Sequence, residues 1–140
     1  MTDPERERLL AESRRGTLVT LKRDGRPQLS VVVYVYDPAE RVIRMSVTDD
    51  RAKTRNVRRD PRVSFYVSTP DLTGYLVAEG TGEVTPVAAE PDDPTVDELV
   101  GIYRAIAGEH PDWAEFRAAM VAEGRLVIRV RVERSYGFQQ

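Results

Sequence analysis

The sequence predicts a mainly β chain with helices, folded as a small antiparallel barrel of six or seven strands with a helical insertion before the last one. Three observations carry that expectation. Apolar and polar residues alternate through successive short runs, the two-residue period of a half-buried strand. Asp24-Gly25 is a hairpin turn signal, because glycine tolerates positive φ. Helical spacing is confined to short segments, two of which sit together late in the chain. With 140 residues, one domain spanning 1–140 is expected, burying roughly 70% of its unfolded surface around one core.

The elements follow in order. In "MTDPERERLLAESRRG" Thr2 and Glu5 form a capping box, Pro4 suits the first turn and Gly16 is placed to stop the helix. This short amphipathic helix is a candidate lid or plug. "GTLVTLKRDGRPQLSVVVYVYD" is two β-rich runs around the turn. In the second, Leu29, Val31, Val33 and Val35 face one way while Val32, Tyr34 and Tyr36 face the other. Both faces are apolar, so the strand is expected to be covered by core on one side and by a second subunit on the other. "DPAER" turns into a third strand, "VIRMSV". After a basic segment, "PRVSFYVS" alternates Val63, Phe65 and Val67 against Arg62, Ser64 and Tyr66. "GYLVAEGTGEVTPV" gives one or two strands with Gly80 and Gly82 as bend or bulge points.

Two helices interrupt the pattern. Asp93 as N-cap and Pro94 at the first position open one with Val96, Leu99, Val100, Tyr103, Ile106 and Ala107 at helical spacing, closed by Gly108. Pro111 opens the other, with Trp113, Phe116, Met120 and Val121 as its stripe. "RLVIRVRVE" is the last strand, with Leu126, Ile128, Val130 and Val132 inward and Arg129, Arg131 and Glu133 outward.

Composition excludes several kinds of chemistry. There is no cysteine, hence no disulfide framework and no thiolate nucleophile, which points to a reducing compartment with cytoplasm as the default. No segment approaches the ~18 apolar residues of a membrane helix. One histidine, His110, sits at a helix start and suits a surface or capping role. It supports neither a Ser-His-Asp set nor a metal site. The acidic run "EPDDPTVDE" reads as loop and helix-start charge rather than a metal loop. A net charge of -2 gives no attraction to nucleic acid or lipid, so anion binding has to be local.

"DDRAKTRNVRRDPR" is the local candidate, with six basic side chains in the twelve residues Arg51 to Arg62. A helix from Asp49 or Asp50 to just before Pro61 puts Arg51, Arg55, Arg58 or Arg59, and Arg62 along one side, with Ala52, Asn56 and Val57 inward. One reading is a solvated basic face. The other is a phosphate grip: the segment leaves the end of "VIRMSV", where Ser46, Thr48 and helix-start amides can join Arg51 and Lys53 on one anion. Of 21 basic residues only Lys22 and Lys53 are lysine, and a compact ammonium is a point-charge phosphate ligand. A nucleic-acid surface needs a spread basic face with exposed aromatics, which is not evident.

The blocks "DGRPQLS", "RAKTRNVRRDPR", "YLVAEGTGEVTP", the "PDDPTVDELVGIYRAIAGEHPDWAEFRAAM" insertion and the "SYG" tail together resemble the pyridoxamine 5'-phosphate oxidase-like split-barrel proteins, in their actinobacterial coenzyme F420-binding branch. That resemblance implies a Greek-key-like split β-barrel and a homodimer with cofactor sites between subunits. It implies that Ser46, Val47 and Thr48 line the cofactor, that Arg51 and Lys53 hold its phosphate or acidic tail, and that Asn56 supports the loop. Gln28, Leu29 and Ser30 approach the deazaflavin ring, and Gly74 and Tyr75 come from the neighbouring chain. The tail "VERSYGFQQ" is shorter than the substrate-binding region of true pyridoxamine 5'-phosphate oxidases, which argues against vitamin B6 oxidation.

The expected activity is hydride transfer between reduced coenzyme F420 and a small organic acceptor. Flavin mononucleotide is the alternative cofactor, and a non-catalytic cofactor carrier is the alternative role. Such an enzyme needs no protein nucleophile, because the cofactor carries the chemistry. Solvent, Tyr34, Tyr36 and Tyr75 are the candidate proton donors.

Overall fold

A computed structural model describes residues 1–140. Seven strands form one sheet in the order β2-β1-β5-β6-β7-β4-β3, every pairing antiparallel. They are β1 (Arg15–Leu21), β2 (Pro27–Val33), β3 (Val35–Asp37), β4 (Val42–Thr48), β5 (Arg62–Ser68), β6 (Gly74–Val84) and β7 (Arg125–Gln139). The helices are α1 (Asp3–Glu12), α2 (Ala52–Arg59), α3 (Pro94–Ala107) and α4 (Trp113–Ala122). This is the mainly antiparallel split barrel with its helical insertion before the final strand.

The barrel comes from one switch. The sequence reads the alternation from Leu29 to Tyr36 as one strand, but the ladder breaks at Tyr34. Before it, β2 pairs with β1. After it, β3 pairs with β4. The first and last strands of the sheet are therefore successive pieces of chain, and the sheet has to curl to bring them together. Tyr34 is fully buried, donates its hydroxyl to the Leu10 carbonyl at 2.7 Å and meets Phe65 edge-on with centroids 4.7 Å apart. Between β2 and β4 no ladder forms.

Two apolar clusters fill the molecule. Inside the barrel, Leu18, Tyr34, Ile43, Met45, Phe65, Leu76, Ile128 and their neighbours pack with Leu10 of α1. Outside it, α3 and α4 lay Val96, Leu99, Val100, Ile102 and Met120 over Val127. β7 serves both, with Leu126, Ile128 and Val130 inward and Val127 toward the helices.

Helix α1 starts on the expected capping box: Glu5 N–H donates to Thr2, and Thr2 N–H donates to the Glu5 carboxylate. It ends at Ser13 rather than at Gly16. Gly16 lies in β1, where a Cβ would collide with the Phe65 ring, so closeness and not chain reversal explains the glycine. The β6 register shifts between Glu79 and Gly80, and a Cβ on Gly80 would strike the Arg131 carbonyl. Asp93 caps α3 through Val96 N–H at 2.8 Å, and Gly108 closes it with φ 78°. Asp112 rather than Pro111 caps α4, accepting from Glu115 N–H at 3.1 Å. Ile106 and Ala107, the end of the apolar helical spacing, are exposed. His110 caps in the expected manner, accepting from Asp112 N–H at 2.9 Å, and its ring joins Tyr103, Trp113 and Phe116. The last strand runs on past Glu133 to Gln139, pairing with β6 from Ile128 onward except at the bulge.

Cross-strand register builds one further surface. Val31, Thr17, Tyr66, Val77 and Tyr136 stand side by side across β2, β1, β5, β6 and β7. This row is on the face away from the barrel core. Val31 is 75% exposed and Tyr66, Tyr136 and Phe138 are also exposed, so the outer face carries a contiguous apolar stripe.

Candidate functional site

Helix α2 leaves the end of β4 through Asp49 and Asp50. Its inward side is Thr54, Asn56 and Val57, all buried, while Ala52 is exposed. Thr54, missed by the apolar pattern, donates to the Thr48 carbonyl at 3.0 Å and so ties the first turn to the strand. Four of the six cations are held elsewhere. Arg58 pairs with Asp49 at 2.7 Å, Arg62 with Asp60 at 2.7 Å, Arg55 donates to the Asp50 carbonyl and Arg59 to the Leu21 carbonyl. For these the solvated or structural reading of the basic segment is correct.

Arg51 and Lys53 differ. Neither has a carboxylate partner. Both line a groove of about 400 Å³ in the gap between β2 and β4, with Ser46, Val47 and Thr48 at its base and Val31, Val32 and Val33 on one wall. Ile102 and Ile106 of α3 form the opposite wall, and Arg125 adds a third cation. Arg125 stands beside Thr48 in the β4–β7 register and donates weakly to Ser46 Oγ at 3.5 Å. No side chain caps the start of α2, so its first amides join this positive end. Burial and the charges of Arg51 and Arg125 hold the Lys53 ammonium below the ordinary lysine value. Arg125 is paired with Glu123 at 3.1 Å, but Arg51 and Lys53 have no carboxylate, and an anion relieves the repulsion among the three cations.

Ser46 keeps its proton free, since its oxygen accepts from Arg125. Thr48 does not: its hydroxyl donates to Asp50 at 2.6 Å. That bond is the main reason the Asp50 carboxyl lies below the usual range. Thr48 therefore shapes the groove without supplying the hydroxyl donor expected of it.

The structure places the other expected site residues apart from this groove. Gln28 and Asn56 line a second hollow of about 330 Å³ with Ala52, Arg59, Lys22 and Arg23. Ser30 lies on the same side of β2 as Gln28 and Val32, hence between the two hollows. Leu29 points outward and is exposed. Gly74 and Tyr75 sit on β6, three places along the sheet from β2, where Tyr75 stacks on Tyr66 with centroids 5.8 Å apart. Within one chain they do not reach the groove. Tyr34 and Tyr36 are corrected as proton donors. The Tyr34 hydroxyl is committed to Leu10 in the core, and that of Tyr36 to Glu7 at 2.7 Å. Burial is the first cause that raises both, Tyr36 to about 12. Arg125, Ile102 and Ile106 were missed. Only the register of β7 against β4 and the docking of α3 bring them here.

A family model described as pyridoxamine 5'-phosphate oxidase matches residues 2–139. The chain belongs to that family. Among solved structures, one called F420 reductase is 29% identical, covers 93% of this chain and 94% of its own, and superposes with a TM-score of 0.69. A conserved hypothetical protein from Mycobacterium tuberculosis is 24% identical over 99% of this chain and 85% of its own, with a TM-score of 0.76. An FAD-binding protein from Mesorhizobium loti is 20% identical over 98% of this chain and 93% of its own, with a TM-score of 0.68. The last two speak for the fold alone. Pyridoxamine 5'-phosphate oxidase-type barrels thus include proteins named for different cofactors, so the family by itself leaves the ligand of this groove open.

Proposed function

We propose that this protein is an oxidoreductase that binds coenzyme F420 and passes hydride from its reduced form to a small organic acceptor. The observation that carries the reading is that Arg51 and Lys53, neither with a carboxylate partner, line one groove together with Arg125. It suits a phosphate with an attached ring. The three cations and the α2 amides take the phosphate, Ser46 offers it a hydroxyl, and the valines of β2 with Ile102 and Ile106 give an aromatic ring apolar walls. Bound there, the deazaflavin supplies the hydride chemistry, while the protein's part is grip, orientation and exclusion of water. The 29% identity to a protein called F420 reductase supports the deazaflavin over its rival, flavin mononucleotide, whose phosphate fits the same grip.

The proposal includes a homodimer. Val31 and Val33 belong both to the groove and to the exposed apolar side of β2, so a second copy seated on that stripe also closes the groove. Gly74 and Tyr75 then reach the neighbour's site rather than their own.

Titration with coenzyme F420 and with flavin mononucleotide, followed by ligand fluorescence, tests the reading. Submicromolar uptake of the deazaflavin, weakened well over tenfold in the R51A/K53A double variant, is expected. Equal affinity in that variant rejects the groove as the site. Tight uptake with no oxidation of the reduced coenzyme by any acceptor in a panel identifies a carrier instead.

A further inference from the structure

A row of hydrogen-bonded side chains, starting on the exposed Arg59 and passing through the buried Asn56 and Thr20, joins α2 to β2. Arg59 donates to Asn56 Oδ1 at 3.0 Å, and the Asn56 amide donates to Thr20 Oγ1 at 3.1 Å. Thr20 donates to Gln28 Oε1 at 3.2 Å, and the Gln28 amide donates to Ser30 Oγ at 3.0 Å. Thr20 is 0% and Asn56 6% exposed.

Every proton in this row points the same way. A threonine hydroxyl has one proton, and an amide nitrogen can only donate, so the proton of Thr20 is left for Gln28. That settles which way round the Gln28 amide sits. Its oxygen meets Thr20, and its nitrogen meets Ser30 and, at 3.3 Å, the Leu29 carbonyl. The row begins on a permanent cation, and at its buried centre, Asn56 and Thr20, each bond polarises the next in the same sense. It ends on Ser30, whose oxygen is already an acceptor and whose proton donates to nothing in the structure.

We infer that Thr20 is a positioning residue, which through Gln28 presents the Ser30 hydroxyl, on the same side of β2 as Val32 of the groove wall, as a hydrogen-bond donor to a coenzyme ring that extends along β2 beyond the groove. This rests on the function proposed above. The ring atom it selects has a lone pair and no proton, such as a carbonyl oxygen of the pyrimidine ring, a group the deazaflavin and the flavin share. A row running the other way would present a lone pair instead and repel that atom. Thr20, next to the last residue of β1, is not among the residues lining the phosphate grip.

The test is a cycle of the T20V, S30A and T20V/S30A proteins, with the affinity for coenzyme F420 as readout. Roughly five- to tenfold weakening is expected for each single variant, the double variant losing no more than S30A alone. The T20S protein, which keeps the hydroxyl, restores wild-type affinity even if valine disturbs the fold. Additive losses in the double variant, or wild-type affinity in T20V, overturn the inference. Without coenzyme, hydrogen exchange of the Gln28 side-chain amide is expected to be slow in wild type and T20S and fast in T20V; equal rates overturn the row itself. Wild-type protein that takes up neither coenzyme overturns the function reading and this inference with it. Additivity with coenzyme bound overturns this inference alone.

Discussion

Arg44 on β4 and Arg129 on β7 are direct cross-strand partners, two like charges placed opposite each other on the sheet. Glu98 of α3 resolves the conflict. Arg129 donates to it from Nε at 2.8 Å and from a terminal nitrogen at 2.5 Å, and Arg44 from Nε at 3.1 Å. Glu98, Ile102 and Ile106 follow at four-residue intervals on one side of α3, so the clamp also sets the helical wall of the groove. The Glu98 side chain is 18% exposed. The E98Q protein is expected to be less stable by about 1–3 kcal/mol in urea unfolding, below the range for fully buried pairs because water still screens this one.

The same clamp gives a pH dependence. Burial pushes the Glu98 carboxyl up, but the hydrogen bonds and charges of Arg129 and Arg44 outweigh it and hold it below the usual range. A lowered folded-state value stabilises above the unfolded value of about 4.3. That stability is lost as pH falls from there through the lowered value. Urea midpoints of wild type and E98Q should therefore differ at pH 7 and converge as the pH falls below about 4.

Lys53 makes the opposite kind of prediction. Its ammonium is held below the ordinary value by burial and by Arg51 and Arg125, so it loses its charge at a lower pH than a free lysine. Affinity for inorganic pyrophosphate is expected to fall as pH rises through that lowered value. Binding at slightly lower pH should take up a fraction of a proton, measurable as a buffer-dependent heat. The R125A protein should shift the fall in affinity upward.

Tyr34 tests the core without touching the groove. In Y34F the Leu10 carbonyl loses its partner, and the expected loss is about 1–3 kcal/mol in the melting transition. Coenzyme affinity should stay at the wild-type level. A strong effect on affinity with the melting point unchanged contradicts the placement of this hydroxyl.

Val31 tests the proposed dimer. V31D puts a charge at the β2 end of the exposed stripe without disturbing the core, because the side chain points away from it. Light scattering should then report a monomer, and the affinity for coenzyme should fall with it. Dimers that survive V31D place the contact elsewhere.

Much of this was legible from local chemistry. The Thr2–Glu5 box, the Asp93 cap, the Gly25 turn and the alternation in β5 all depend on near neighbours, and each appears as read. Five of the expected site residues, Ser46, Val47, Thr48, Arg51 and Lys53, meet in one groove because they are nearly consecutive. What could not be read depends on register or tertiary packing. Nothing in the run from Pro27 to Asp37 marks Tyr34 as the switch, since the residue before and the residue after are equally good strand formers. Arg125 needs the pairing of Thr48 to find the groove. Thr54 looked polar and turned inward, because a buried hydroxyl with a carbonyl to meet is no longer a misplaced one.

The handover at Tyr34 means that the two margins of the sheet belong to one ribbon. Peeling either margin tugs the other through a single buried ring, so the seam of the barrel cannot fray on one side only. Amide protons of β2 and β3 should exchange as one cooperative unit, although they lie at opposite ends of the sheet order.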